Sequence, residues 1–357
     1  MKPETLLKDP VFQLNLLLWM AMEQPDKDYR VRPLFYRWGF RLMYIEQPFS
    51  FPPPLAAAIK DSELKIHSNP EPEMILGRDK DQKALYFEAK GDSFSSGSSN
   101  ASQACGHLLA VGPAFSEVLK PREQCLLCYV LPAEKRDKMA ECLSELTATL
   151  IEEKMKPGPH SIHGLAVRGT DIVYSWDQCF QSYLDIPELE SVVLSDVTED
   201  TNPSPLILVF SDEDHHDPTM KDYYREVVIN QIRATLLCEL KNHPLSETYF
   251  TTPEDILMKT THGRFGYLGH KRQIAMRRLV LSNVFKRIED HWKDKQQGIS
   301  LDAGKLYIKW VLSGERDAFL DWLEDRRTKF EASKPLAETP DATPDMFDSI
   351  DAQTQED

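Results

Sequence analysis

No stretch of this 357-residue chain reaches the uninterrupted apolar length that a bilayer-spanning helix needs. Its beginning lacks a basic region followed by an apolar run and a small-residue cleavage site, so a cytoplasmic protein with no membrane partner is expected. Cysteine is sparse. The 6 cysteines are scattered through apolar surroundings, which suits a reducing compartment. Cys125-Leu-Leu-Cys128 has a zinc-like spacing, but no second pair accompanies it and the segment is strand-like, so core thiols are expected there rather than a metal. No nucleotide-binding glycine loop appears, so an ATP-driven step would need another chain. Positive charge is also in deficit: a net charge of −15 does not favour nucleic acid by its sum, and directs attention to where the charge lies.

What is present is ample apolar content for a core, in a length that allows one large domain or two ordinary ones. Residues 10–23 read as a largely buried helix, with Asp9 as N-cap and Pro10 at the first helical position. Residues 29–49 interleave Arg30, Arg32, Arg37 and Arg41 with aromatics, a pattern that suits phosphate pairing with base stacking and equally suits a half-buried strand region rimmed by arginines. Phe51-Pro-Pro-Pro then interrupts regular structure. Further on come a strand (125–131), a helix (133–154), two strands (161–167 and 171–176), a polar link (194–204) and a strand (205–211). This alternation predicts an α/β fold with a mixed central sheet flanked by helices over residues 1–212. A mostly helical region is expected over 213–331, where Thr252-Pro253-Glu254-Asp255 is a strong helix start, and a disordered acidic tail over 332–357.

The segment 72–90 organises the rest. Residues 74–76 and 84–90 read as strands about the polar turn Asp79-Lys80-Asp81-Gln82, with Tyr86, Glu88 and Lys90 on one face and Leu85, Phe87 and Ala89 on the other. A hairpin closing symmetrically about Lys80 and Asp81 sets Glu73 opposite Glu88. Carboxylates roughly 5 Å apart across a strand pair repel unless a proton or a cation sits between them. A divalent metal answers this, and Lys90 beside it can hold a water or a phosphate oxygen. The loop 91–99 is small and polar and reads as a flexible linker that could close over a substrate backbone.

Pro72-Glu73 followed by Glu88-Ala89-Lys90 resembles the motif of the PD-(D/E)xK, or restriction-endonuclease-like, nuclease superfamily. The resemblance covers roughly residues 60 to 130 and implies a restriction-endonuclease-like core. It implies that Glu73 and Glu88 bind Mg2+ (or Mn2+), with the Ala89 carbonyl able to join them, and that Lys90 positions the attacking water. It also implies a helix after the lysine strand bearing a glutamine, here Gln103, with His107 where some members carry tyrosine. Glu73 departs from the family's usual aspartate, and Glu71 is a rival for its role. A leading helix in the family can carry an extra glutamate, for which Glu23 is the candidate against a plain solvated helix end. Gln103 also has a local explanation, since Asn100 as N-cap with Gln103 three residues on approximates a capping box.

Two further segments carry charge signals. Asp212-Glu-Asp-His-His-Asp217 is dense in potential metal ligands but reads as a solvated turn. Residues 259–295 hold ten basic residues against three acidic ones, a local +7, with Ile274, Val280, Leu281, Val284, Phe285 and Ile288 forming an apolar helix face. Lys271, Arg272, Arg277, Arg278, Lys286 and Arg287 are therefore the expected nucleic-acid contacts, with an acidic partner protein as the other docking option. In the tail, Met346, Phe347 and Ile350 could dock a partner, and the acidic run could cover the basic helix. The expectation from these readings is a Mg-dependent nuclease acting on nucleic acid, DNA first, in a bacterial restriction or anti-phage setting that rests on family analogy. The competing expectations are a catalytically inactive scaffold subunit of the same fold, and a helix-turn-helix-like regulator using residues 253–292.

Overall fold

The computed structural model describes residues 2–24, 30–115, 124–186, 191–196, 206–292, 298–310 and 313–325. Lys293, Lys295 and the tail from 332 lie outside the described residues. Among the described residues no helix is long and apolar enough to cross a membrane.

After a short helix α1 (Pro3–Leu6), α2 (Pro10–Met20) starts where the sequence says it should: the Asp9 carboxylate accepts from the Val11 N–H and Pro10 takes the first turn. Residues 11–20 are all buried, as expected of a helix packed on every side. The chain continues through α3 (Leu34–Arg37), β1 (Arg41–Ile45), α4 (Pro53–Asp61), β2 (Met74–Arg78), β3 (Lys83–Ala89), α5 (Ser99–Ala110), β4 (Gln124–Pro132), α6 (Arg136–Glu152), β5 (His160–Arg168), β6 (Asp171–Ser175), α7 (Gln178–Leu184) and β7 (Ser191–Asp196). The seven strands form one mixed sheet in sequence order. The β3–β4 and β4–β5 pairs are parallel and the others antiparallel. Parallel neighbours need a crossover, which α5 and α6 supply.

Both sheet faces are covered, and the alternation along the strands decides which side chain goes where. Leu85 and Phe87 of β3, with Leu126, Cys128 and Val130 of β4, join the core built on α2, α3 and the C-terminal helices. Ala84 and Tyr86, with Cys125, Leu127 and Tyr129, join the core under α4, α5 and α6. Cys125 and Cys128 therefore point to opposite faces, buried and in no disulfide, so the two thiols do not converge. In the arginine-aromatic segment, Phe35 and Phe40 are fully buried and Arg41 lies 3.9 Å from the Tyr36 ring centroid, so the half-buried reading describes the segment.

Residues 206–210 are buried but form no strand, contrary to the expectation for 205–211. Their backbone is served by α2 rather than by a ladder: Asn15 accepts from the Leu208 and Val209 N–H groups at 2.6 and 2.9 Å and donates to the Val209 carbonyl at 3.0 Å, while the Trp19 indole donates to the Leu206 carbonyl. Orphaning such buried groups costs about 1–3 kcal/mol, so Asn15→Ala is expected to lower the urea-unfolding free energy by that amount. A loss below a few tenths of a kcal/mol would show that the segment is held otherwise.

The C-terminal region holds α8 (Pro218–Asn242), β8 (Tyr249–Thr251), α9 (Pro253–Thr260), α10 (His270–Val280), a π-turn (Leu281–Phe285), α11 (Lys286–Trp292), β9 (Ile299–Asp302), β10 (Lys305–Ile308) and α12 (Ser313–Glu324). The Thr252 start of α9 is a full capping box with Asp255. The region is not helical alone: β8, β10 and β9 make a three-stranded antiparallel sheet. Its hairpin turns at Ala303-Gly304, both with positive φ, as a two-residue turn between right-twisted strands requires.

Candidate active site at the end of the central hairpin

The hairpin forms in the expected register. Met74 faces Phe87, Ile75 faces Tyr86 and Arg78 faces Lys83, with the turn at residues 79–82 pinned by an Arg78–Asp81 ion pair. Continued one step past Met74, this register sets Glu73 opposite Glu88. The Glu73 carbonyl accepts from the Glu46 N–H beyond the end of β1, which ties the entry to β2 to the end of β1.

Glu88 lies on the α5 side of the sheet and is 1% exposed. Its Oε1 is 2.8 Å from Lys90 Nζ and its Oε2 is 3.4 Å from His107 Nε2. The Tyr86 hydroxyl lies 2.7 Å from His107 Nδ1. Burial and the nearby Glu88 charge push the Tyr86 phenol well above its ordinary range, so it keeps its proton, and its contact with Nδ1 fixes the imidazole with Nε2 turned toward Glu88. Lys90 Nζ also donates to Gln103 Oε1 at 2.8 Å. Gln103 is thus engaged with the lysine, and the N-cap of α5 is Ser98, which accepts from the Ala101 N–H; the capping box expected from Asn100 does not form.

The Lys90 backbone is held by a residue that sequence reasoning missed. Gln13 of α2 is fully buried; its Oε1 accepts from the Lys90 N–H at 3.1 Å and its Nε2 donates to the carbonyls of Lys90 and Leu7 at 3.0 and 2.7 Å. Next to it, a Cβ on Gly91 would meet the Lys8 carbonyl oxygen at 2.3 Å, so only glycine lets the chain pass α2 here. Glu23, the candidate from the leading helix, is exposed at the other end of α2 and lines a separate cavity. The loop after Gly91 is tethered by the buried Phe94 against Tyr129 and by Lys135 on Asp92 at 2.9 Å.

The two facing carboxyls are driven apart in their proton affinity. For Glu73, desolvation and then the charges of Glu88 and Glu46 raise the pKa well above the ordinary 4.5. For Glu88, burial pushes upward, but His107 and Lys90 outweigh it and hold the carboxyl below its ordinary value. The repulsion foreseen across the hairpin thus shows as a raised proton affinity at Glu73 set against a lowered one at Glu88. A carboxyl raised in the folded state adds stability that is fully present below the unfolded value and is lost as pH rises through the folded one. Glu73→Gln is therefore expected to flatten that loss, leaving the variant more stable than wild type at alkaline pH and not at pH 4; parallel stability-versus-pH curves would contradict this.

Glu46 is the other acid that the sequence did not single out. Its φ is +51°, a left-handed conformation uncommon outside glycine, and it is held by Arg272 of α10. Arg272 is 10% exposed; it pairs with both oxygens of Glu46, Nε lying 2.6 Å from Oε2, and reaches Asp214 at 2.5 Å. Glu71, the rival to Glu73, is exposed and lines an open cavity of about 410 Å3 together with Glu46, Asp214 and Arg272.

The other expected nucleic-acid contacts are paired within the chain too. Lys271 is 85% exposed but meets Glu213 at 2.6 Å, Lys286 meets Glu289 at 2.9 Å, and Arg277 pairs with Glu254 beside the Phe265 ring. Arg278 and Arg287 are not free either. In the acidic turn, Asp212 pairs with Arg225, His215 is buried 3.4 Å from Asp9, and Asp217 caps α8, so its ligand-type residues serve separate structural roles. Among the described residues, no group of three or more His, Cys, Asp or Glu side chains converges as a metal cage.

Two carboxyl groups that repel across the hairpin nevertheless fit a hard dication, because Mg2+ is commonly held by one or two carboxylates with waters and substrate phosphate completing its shell. Comparison with protein-family models, with curated proteins and with solved structures returns no match, so the reading of this site rests on its own geometry.

Proposed function

We propose that the chain is a metal-dependent nuclease of the restriction-endonuclease-like kind, hydrolysing phosphodiester bonds of nucleic acid, with DNA the first substrate to try. The observations that carry this reading are the hairpin register, which continued one step past the Met74–Phe87 pair would set Glu73 against Glu88, and Lys90, which lies 2.8 Å from both Glu88 and Gln103. Glu73 and Glu88 would hold Mg2+ or Mn2+, which when bound supplies a Lewis acid for the phosphoryl oxygen and a more acidic water. Lys90 is half-buried and fixed at its backbone by Gln13, so its ammonium can orient a water against the phosphate without leaving Gln103. Lys271, Arg278 and Lys286 are exposed and would meet the phosphate backbone. The bacterial restriction or anti-phage setting belongs to this proposal by analogy alone.

A second reading has its own observation. The sealing of Glu88 between Lys90 and His107, and the internal pairing of the basic segment, suit a non-catalytic subunit of the same architecture that docks a partner. Incubating the protein with plasmid, single-stranded DNA and RNA, with and without Mg2+ or Mn2+, separates the two. Metal-dependent cutting that Glu88→Gln abolishes is the result the nuclease reading expects. Absence of cutting on every substrate leaves the scaffold.

A further inference from the structure

At the Arg41 end of β1, away from Glu46, the C-terminal end of α2, β1 and the turn after α9 enclose a second cavity of about 360 Å3. Its lining includes Tyr36, Arg41, His262, Arg264 and Tyr267, with Glu23 at one side. Among the described residues neither of these two arginines pairs with a carboxylate. One Arg41 nitrogen donates only to the neutral Tyr36 and Phe40 carbonyls, at 3.0 and 2.8 Å, while its guanidinium lies 3.9 Å from the Tyr36 ring centroid. Arg264 donates to the His262 carbonyl. Burial, Arg264 and Arg30 together lower the His262 pKa, the mark of a positive and partly dry pocket. The contrast with Arg272, locked between Glu46 and Asp214, is direct: there the counter-charge is built in, here it is not.

We infer that this cavity binds a nucleoside phosphate, Arg41 and Arg264 taking the phosphate oxygens through their forked N–H groups and the exposed Tyr267 ring offering a face to the base. Guanidinium suits this role because its fixed fork matches phosphate geometry, and a tyrosine ring stacks on any base. The phosphate could belong to a free nucleotide or to a nucleic-acid strand; the chemistry of recognition is shared. The inference does not rest on metal-dependent cleavage at Glu73 and Glu88, and the test keeps the two apart.

The full chain would be titrated calorimetrically with adenosine 5′-monophosphate, adenosine and a 5′-phosphorylated hexathymidylate. The expected result is binding of a phosphorylated ligand, unchanged in Glu88→Gln and weakened roughly tenfold or more in Arg41→Gln and Arg264→Gln, because a hydrogen bond to a charged group is lost. Adenosine is expected to bind more weakly by a similar factor. Tighter binding of the mononucleotide identifies a free nucleotide as the source; tighter binding of the oligonucleotide identifies a strand. In wild-type protein, where no variant has to fold, the His262 ring proton resonance is expected to shift on addition of the phosphorylated ligand. The inference is overturned if neither phosphorylated ligand binds, if both arginine variants bind as wild type does, if binding is lost in Glu88→Gln, or if the His262 resonance stays in place at saturation.

Discussion

Lys90→Ala is expected to lower metal-dependent cleavage by roughly 10²- to 10⁴-fold, the range that a positioned proton-handling group contributes. The loss should appear in the turnover rate and leave substrate binding nearly unchanged, because the proposed mechanism has the lysine act on the attacking water and not on the phosphate chain. Its immediate supports predict a graded series. Gln103→Ala removes one 2.8 Å partner of the ammonium and leaves Glu88 in place, so its effect should fall short of the Lys90 substitution. Measuring single-turnover cleavage for both variants checks this. A Lys90→Ala protein cutting at the wild-type rate would remove the lysine from the mechanism.

Arg272→Ala is expected to destabilise the fold by about 3–5 kcal/mol, the usual consequence of stripping one partner from a buried ion pair. The guanidinium joins Glu46 at the end of β1 to Asp214 before α8, and the removal leaves both carboxylates in a partly dry place with like charge as company. Chemical denaturation reads the effect, and an Arg272→Met variant that also lacks Glu46 and Asp214 as charges should recover most of it. A change within 0.5 kcal/mol or so, typical of surface positions, would show that the pairing carries little. The same geometry explains why counting basic residues over 259–295 overstated an open cationic face: Arg272 finds its partner Glu46 more than two hundred positions away, and no local pattern announces that.

The hairpin was legible because its determinants are local. Alternation in 84–90, a polar turn at 79–82 and a Pro-Glu entry were enough to fix a register that the fold reproduces pair by pair. The α2 start was legible for the same reason, an aspartate followed by proline. Residues 205–211 were read as a strand because apolar β-formers look alike whether a ladder or a side chain satisfies them; only the fold reveals that Asn15 does so. The strand β7 and the helix α7 were missed because each is short, and the C-terminal sheet because β9 and β10 are only four residues each about an Ala-Gly turn. Around the site, Glu88, Lys90 and Gln103 were anticipated as a set and do meet, whereas Gln13 and Glu46 reach it from distant positions with no motif to mark them.

The claim on which the account turns is that the Glu73–Glu88 pair is a cation site. Calorimetric titration of the protein with Mn2+ at pH 8, for wild type, Glu73→Gln and Glu88→Gln, tests it without substrate. One site per chain is predicted in wild type, weakened by roughly 10- to 100-fold or more in either variant. Binding of equal strength in all three proteins, or none in wild type, would contradict the assignment and leave the facing carboxyls a structural pair.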